Sequence, residues 1–431
     1  MPIMLHVDEL KPGLCLAQAI YQGEQRLICG GQKLEQWHID ALRRRFPTLV
    51  VRVLDPILDG MAEFEDDTQN VEVATTITSR MSRLMSSVQA KIGARTSLDG
   101  SDLTGLQAAI KEVMDYLVAH PVTAAVLMRS GGTTGYLQEH AANVMYLSLL
   151  VGNAIRDYVY HERARTTRSR TLAVRYGLNL TPLALGCLFH DLGMLEFEDL
   201  LYTDAPLTPE QFQRIRQHPL TGVNLLPKET DAVVKTVVRT HHENMNGTGY
   251  PAGLAGDKLH VFSRIIRLAD AYDAGTSDRV YRQAKTPARV LWELTCGPNR
   301  HLYDPLIARI LSGMVQPFPI GAKIRLNCGR YAVVVRHNRR HPFRPTVIIA
   351  FDEEGRRLKK KQLEPPFSLV DHEEVRLVEF AGQDLTFLNT GPQPPPALGE
   401  SPASSDSGVY QALHAMTAET TETNLFSMVY P

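Results

Sequence analysis

Residues 181–195, TPLALGCLFHDLGML, place a histidine and an aspartate side by side at the end of an otherwise apolar run. Thr181 reads as an N-cap and Pro182 as the first residue of a helix, so His190-Asp191 arrives at the inner end of a buried segment. Taking a carboxylate out of water is costly unless a cation or a metal compensates it. No Lys or Arg occurs between Arg175 and Arg214, which leaves a metal ion, or a partner distant in sequence, to meet that cost.

Further histidines and carboxylates with the same inward placement flank this stretch. His140 opens the helical stripe His140, Val144, Leu147, Val151 and therefore faces the core. His218 follows a helix with Thr208 as N-cap, Pro209 at its first position and Gln211 at the capping-box site. Pro219 disfavours helical geometry for the residue before it, so His218 is expected at a break between helices. The stripe Val234, Val237, Val238 runs into His241 and His242. In FSRIIRLADAYDA, Phe262, Ile266 and Asp270 are four apart and share a face. Asp273 is the competing carboxylate, and hydrogen bonding to the following turn is its other reading. Any one of these has an ordinary packing explanation; together they are too much imidazole for a core. Imidazole and carboxylate donors without thiolates suit Fe, Mn, Ni or Zn, and the set exceeds the needs of one tetrahedral ion. Two ions about 3.5–4 Å apart can clamp the attacking and leaving oxygens of a phosphoryl displacement and activate a bridging water, so phosphoester hydrolysis is the expected chemistry.

The chain has 431 residues, 44% of them hydrophobic and 22% charged, long enough for two to three domains with a sizeable core. Lys plus Arg (46) nearly cancels Asp plus Glu (47), so no global field draws it to nucleic acid or an anionic membrane. The five cysteines contain no CxxC pair, which argues against a disulfide framework or a zinc ribbon and for a reducing, cytoplasmic setting. No signal-peptide pattern and no apolar run of bilayer length is apparent, so no membrane insertion is expected. The expected fold class is mainly α. Residues 1–55 read as a small αβ module, 56–130 as a helical connector able to support a homodimer, and 131–316 as the chemical domain. Residues 317–390 follow as a small β-rich module, with strands over Ala322–Asn327, Tyr331–Arg336 and Thr346–Phe351, and 391–431 as a flexible linker and tail. The run Arg356–Lys361 reads as a solvated face.

His190-Asp191, His218-Pro219 with Gly222, HHENMNGTGYP and LADAYDAGTSDRVYR, in that order, resemble an HD-GYP domain over roughly residues 134–315. The resemblance implies an all-helical fold of the HD superfamily, two divalent transition-metal ions with iron foremost, and hydrolysis of cyclic di-GMP to the linear dinucleotide pGpG or on to GMP. It places the metal ligands on His140, His190, Asp191, His218, His241, His242 and Asp270. Among these, His190 and Asp191 are the catalytic pair and Asp191 the bridge; the division of terminal ligands between the ions stays open. It puts phosphate-holding groups at Arg279 and Arg282, whose other reading is two solvated arginines. Gly249, Tyr250 and Pro251 form the signature loop, lining a cleft or ending a helix. Where the family usually reads HDxGK this chain has Met194, so a degenerate module that binds cyclic di-GMP, or docks on a GGDEF-type diguanylate cyclase, is the alternative to turnover. Tyr136 stands where trimetal members carry an extra carboxylate, and Asn246 replaces a common Asp. The stretch from Val7 to Arg44 is similar to short segments that precede HD-GYP domains.

Overall fold

The computed structural model describes residues 2–22, 25–47, 49–58, 68–94, 98–120, 135–166, 179–201, 207–277 and 284–390. Arg279, Arg282 and the expected tail after residue 390 lie outside them. The mainly α architecture is present: a helical body, a small sheet near the N-terminus and a larger sheet near the C-terminus. At the centre of the body is the helix Tyr136–Ala154, in which every residue from His140 to Gly152 is buried. A helix apolar on all sides is stable only when surrounded, and its neighbours are Thr68–Gly93, Thr181–Phe189 and Val261–Thr276. The helix Thr68–Gly93 contributes Met81 and Val88 to the common core, so it is packed with the helices that carry the histidines.

Capping chemistry sets most of the helix starts. Thr208 and Gln211 form the expected capping box ahead of Pro209–Ile215, and Asp231 caps Ala232–Thr240 through the amide of Val233. Thr181 differs from its expected role. It is the first helical residue and makes no side-chain cap; its own N–H donates to Asn179 Oδ1 at 2.9 Å. An Asn carboxamide two residues upstream instead satisfies the first orphan donor of the helix, the Thr181 amide itself, and the start moves by one residue.

Strands β1 (Pro2–His6), β2 (Cys15–Leu16) and β5 (Val50–Leu54) form an antiparallel sheet in the order β1-β5-β2, while β3 (Ile20–Gln22) and β4 (Gln25–Ile28) make a separate hairpin. The larger sheet runs β11-β10-β6-β7-β8-β9, with β6 at Lys323–Leu326, β7 at Tyr331–Arg336, β8 at Thr346–Phe351, β9 at Phe367–Ser368, β10 at Leu377–Phe380 and β11 at Gln383–Asp384. These two ends of the chain share one core: Ile3, Leu5, Val51 and Val53 pack with Val333, Val335, Ile348 and Ala350. The Met4 amide donates to the Gly321 carbonyl at 2.8 Å, and Asp55 pairs with Arg357 across the same seam. Among the described residues no helix is long and apolar enough to cross a membrane.

Because that core is shared, Ile348→Ala is expected to cost about 2–5 kcal/mol and to speed amide exchange in β5 as well as in β8. Unchanged exchange at residues 50–54 would show the two sheets to be independent.

Candidate metal centre

Three of the candidate histidines are oriented by the same local device. His190 Nδ1 lies 2.7 Å from the Cys187 carbonyl, His218 Nδ1 2.8 Å from that of Ile215, and His241 Nδ1 2.7 Å from that of Val238. A carbonyl oxygen only accepts, so Nδ1 carries the proton in each ring and Nε2 of the neutral imidazole presents a lone pair. His140 is held differently: its Nδ1 lies 2.7 Å from Asp273 Oδ2, and Asn143 Nδ2 donates to the other oxygen of Asp273 at 3.0 Å. Asp273 is fully buried and faces away from the ligand cluster, as the orienting partner of a ligand ring.

The lone-pair nitrogens then face one another. His140 Nε2 and His190 Nε2 are 3.4 Å apart, and His218 Nε2 and His241 Nε2 are 3.1 Å apart. In the His218–His241 pair the outer nitrogens already hold the ring protons of the neutral imidazoles, so no hydrogen is left to share across the gap. The spacing is that of nitrogens bound at about 2.0–2.1 Å to a common ion. Asp191 sits between the pairs. Its Oδ2 is 3.7 Å from His140 Nε2 and 3.5 Å from His190 Nε2, whereas its Oδ1 is 3.3 Å from His218 Nε2 and 3.8 Å from His241 Nε2. Asp270 spans the cluster from another side, Oδ1 3.2 Å from His140 Nε2 and Oδ2 3.7 Å from His242 Nδ1. Two donor groups result, Asp191 with His218, His241 and His242, and Asp191 with His140 and His190. All seven residues expected as ligands are thus gathered into one buried cluster, which fits divalent metal.

The electrostatics agree with that fit. Burial alone would raise the Asp191 carboxyl, yet the facing His190, His218 and His241 hold it well below the usual carboxylate range. Asp270, also pushed up by burial, is drawn below that range by His140 and His242. Burial lowers His241 to about 4, and burial together with His241 lowers His242. These groups are therefore in the deprotonated forms that metals require. Burial works against charge on His140, but Tyr136, Asp270 and Asp273 raise it well above its ordinary value. The Tyr136 ring, which opens the helix, stacks on His140 at 5.4 Å.

Glycines and one glutamate, whose role the motifs did not reveal, shape the surroundings. A Cβ on Gly193 would lie 2.1 Å from the His218 carbonyl oxygen and 2.6 Å from the Gly222 nitrogen. The HDLG turn and the His218 helix therefore meet backbone to backbone. Gly249 is pressed in the same way onto the backbone of His242–Asn244. The Glu243 carboxylate accepts from Ala252 N at 2.7 Å and Leu254 N at 3.0 Å, which anchors the GYP loop. In that position Tyr250 stacks on the His242 ring, centroids 4.8 Å apart. Met194 is buried and brings no charge to the site.

Residues 151–307 match the family model described as an HD domain, and 323–365 one described as a KOW domain associated with HD domain. The chain therefore carries an HD domain, and the resemblance drawn from its motifs holds. It is similar to a cyclic di-GMP phosphodiesterase of Pseudomonas aeruginosa, 35% identical over 39% of this chain and 41% of that protein. It also resembles a cyclic di-GMP phosphodiesterase of Vibrio cholerae, 31% identical over 33% and 32% of the two chains. A 3'3'-cGAMP-specific phosphodiesterase of Vibrio cholerae is 28% identical over 41% and 35%. The matches span less than half the length of each of these relatives.

Two outcomes follow for the centre. Asp273→Asn, which turns an acceptor-only partner of His140 Nδ1 into an ambiguous amide, is expected to weaken metal affinity about 10–100-fold; competitive chelator titration reads this directly. In the metal-free protein His241 and His242 bind protons less readily than in the unfolded chain, so stability falls as pH drops from about 6.5 towards 4. His140, raised instead, contributes stability that is full below about 6.5 and is lost as pH climbs through its folded value. Thermal unfolding of the chelator-treated chain should therefore peak near neutral pH; a transition still rising down to pH 4 would contradict the assignment.

Proposed function

We propose that this chain is a metal-dependent phosphodiesterase that hydrolyses cyclic di-GMP to linear pGpG or on to GMP. The observation that carries the reading is the Asp191 carboxylate, whose two oxygens are divided between two sets of lone-pair nitrogens. In this reading His140 and His190 would hold one ion and His218, His241 and His242 the other, with Asp191 shared between them and Asp270 completing the set. Nitrogen and carboxylate donors without thiolate favour iron, with manganese, nickel or zinc as substitutes. Bound divalent ions supply Lewis-acid polarisation of the phosphodiester and lower the pKa of the attacking water.

The chain's own residues prepare the site for that chemistry. Carbonyl acceptors at Cys187, Ile215 and Val238 hold three rings by Nδ1 and aim their Nε2 atoms inward. Asp273 holds His140 by the opposite nitrogen. The Glu243 anchor keeps Tyr250 stacked over His242 on one side of the cluster. The names of the relatives support a cyclic dinucleotide substrate of the di-GMP or 3'3'-cGAMP kind. Met194 motivates the alternative, a module that binds cyclic di-GMP or docks on a GGDEF-type diguanylate cyclase without turnover.

Elemental analysis of the purified chain is expected to find about two transition-metal ions per protein, alongside linear product from cyclic di-GMP. Asp191→Ala should remove both. A metal-loaded chain that leaves cyclic di-GMP intact, and gains activity only on Met194→Lys, would transfer the assignment to the non-catalytic module; preference for 3'3'-cGAMP in a substrate panel would change the substrate alone.

A further inference from the structure

A cyclic dinucleotide brings two negative charges to a centre where the usual lysine of the HDxGK motif is a buried methionine. Among the described residues, Arg267 is the Lys or Arg that comes within 4 Å of a carboxylate of the ligand set, with Nη1 3.8 Å from Asp270 Oδ2. It lies on the helix Val261–Thr276, three residues before Asp270 and so on the same face. Its side chain is largely covered, 18% exposed, and is fixed on two sides. The Nε proton goes to Asn244 Oδ1 at 3.0 Å, and the guanidinium rests over the Tyr303 ring at 5.2 Å. Asn244 follows directly on the His241-His242-Glu243 run, so the residue that aims Arg267 is carried by the same segment as two ligands.

The 3.8 Å approach to Asp270 is an ion pair but too long for a hydrogen bond. Asp270 already has Oδ1 at 3.2 Å from His140 Nε2. The planar guanidinium is thus held at the edge of the cluster with Nη1 turned towards it, a position from which a charge-assisted contact with a phosphate oxygen can form. We propose that Arg267 is a phosphate-binding residue of this site and holds a non-bridging oxygen of the scissile phosphodiester in place of the lysine absent at position 194. This rests on the phosphodiesterase reading above for the identity of the substrate, but not for the presence of the anion site.

The test compares the metal-loaded full chain with Arg267→Ala and Arg267→Lys by elemental analysis, by calorimetric titration with inorganic phosphate, and by steady-state kinetics on cyclic di-GMP and bis(p-nitrophenyl) phosphate. Arg339→Ala, on the turn between β7 and β8, controls for loss of a surface charge. Metal content should be unchanged in Arg267→Ala. Phosphate affinity should fall, and KM for the phosphodiester rise, about 10–100-fold, the range of one charge-assisted contact, with a smaller change in kcat. Arg267→Lys should recover part of the affinity, since it restores the charge without the fork. Loss of metal from Arg267→Ala would show that the arginine only positions Asp270 and would overturn the proposal. So would unchanged phosphate affinity and KM, or a wild-type chain that binds no phosphate at millimolar concentration. Turnover of bis(p-nitrophenyl) phosphate without turnover of any cyclic dinucleotide would reject the substrate assignment, while the phosphate titration would still decide Arg267.

Discussion

Two imidazole nitrogens that both carry lone pairs cannot sit 3.1 Å apart in a dry pocket without something positive between them. His218 and His241 are held in that relation. The carbonyls behind His190, His218 and His241 fix the tautomers that create the conflict, so it is built into the backbone. Asp191 deepens it by placing one carboxylate oxygen before each pair, and a cation is what relieves it. The burial of the His140 helix, the glycine contact between the HDLG turn and the His218 helix, and the Glu243 anchor of the GYP loop all hold the rings where this demand persists. Packing of this kind resists relaxation because interiors are dense and deform little.

Much of the centre was legible because its members are chemically out of place. A histidine or aspartate on an apolar stripe stands out at period 3.6, and seven of them spread over one helical domain imply a common purpose. The strands of the larger sheet were equally readable, since β-branched runs bounded by Gly, Asn and Pro leave little choice: Tyr331–Arg336 and Thr346–Phe351 appear as expected, and Ala322–Asn327 is shortened to Lys323–Leu326.

What was not legible is what depends on distance through space. Asp270 and Asp273 are three residues apart on one helix, and period alone left both open. Their roles separate only because the His140 helix crosses so that Asp273 meets Nδ1 and Asp270 meets Nε2. Glu243 looked like a polar residue after two histidines, whereas its carboxylate holds backbone amides nine and eleven positions on. The shared core of Leu5 and Val53 with Ile348 joins residues separated by most of the chain, and no local pattern encodes such a pairing. Thr181 shows the converse error at short range, where a nearby Asn accepts from its amide and Thr181 becomes the first helical residue.

The closure between chain ends also bears on the centre. Gln383, on β11, accepts from the Thr286 amide through Oε1 at 3.1 Å and donates from Nε2 towards the Ala284 carbonyl at 3.4 Å. The Lys285 amide in turn donates to the Gly275 carbonyl at 3.1 Å, at the last turn of the helix that carries Arg267 and Asp270. The C-terminal sheet therefore grips the chain just after the helix that supplies a ligand carboxylate and the proposed phosphate-binding arginine. That sheet is itself fastened to the N-terminal strands through Met4, Asp55 and the common core. A disturbance in β1 or β5 thus has a continuous packed route to the Asp270 helix, and the β modules are mechanically part of the centre they flank.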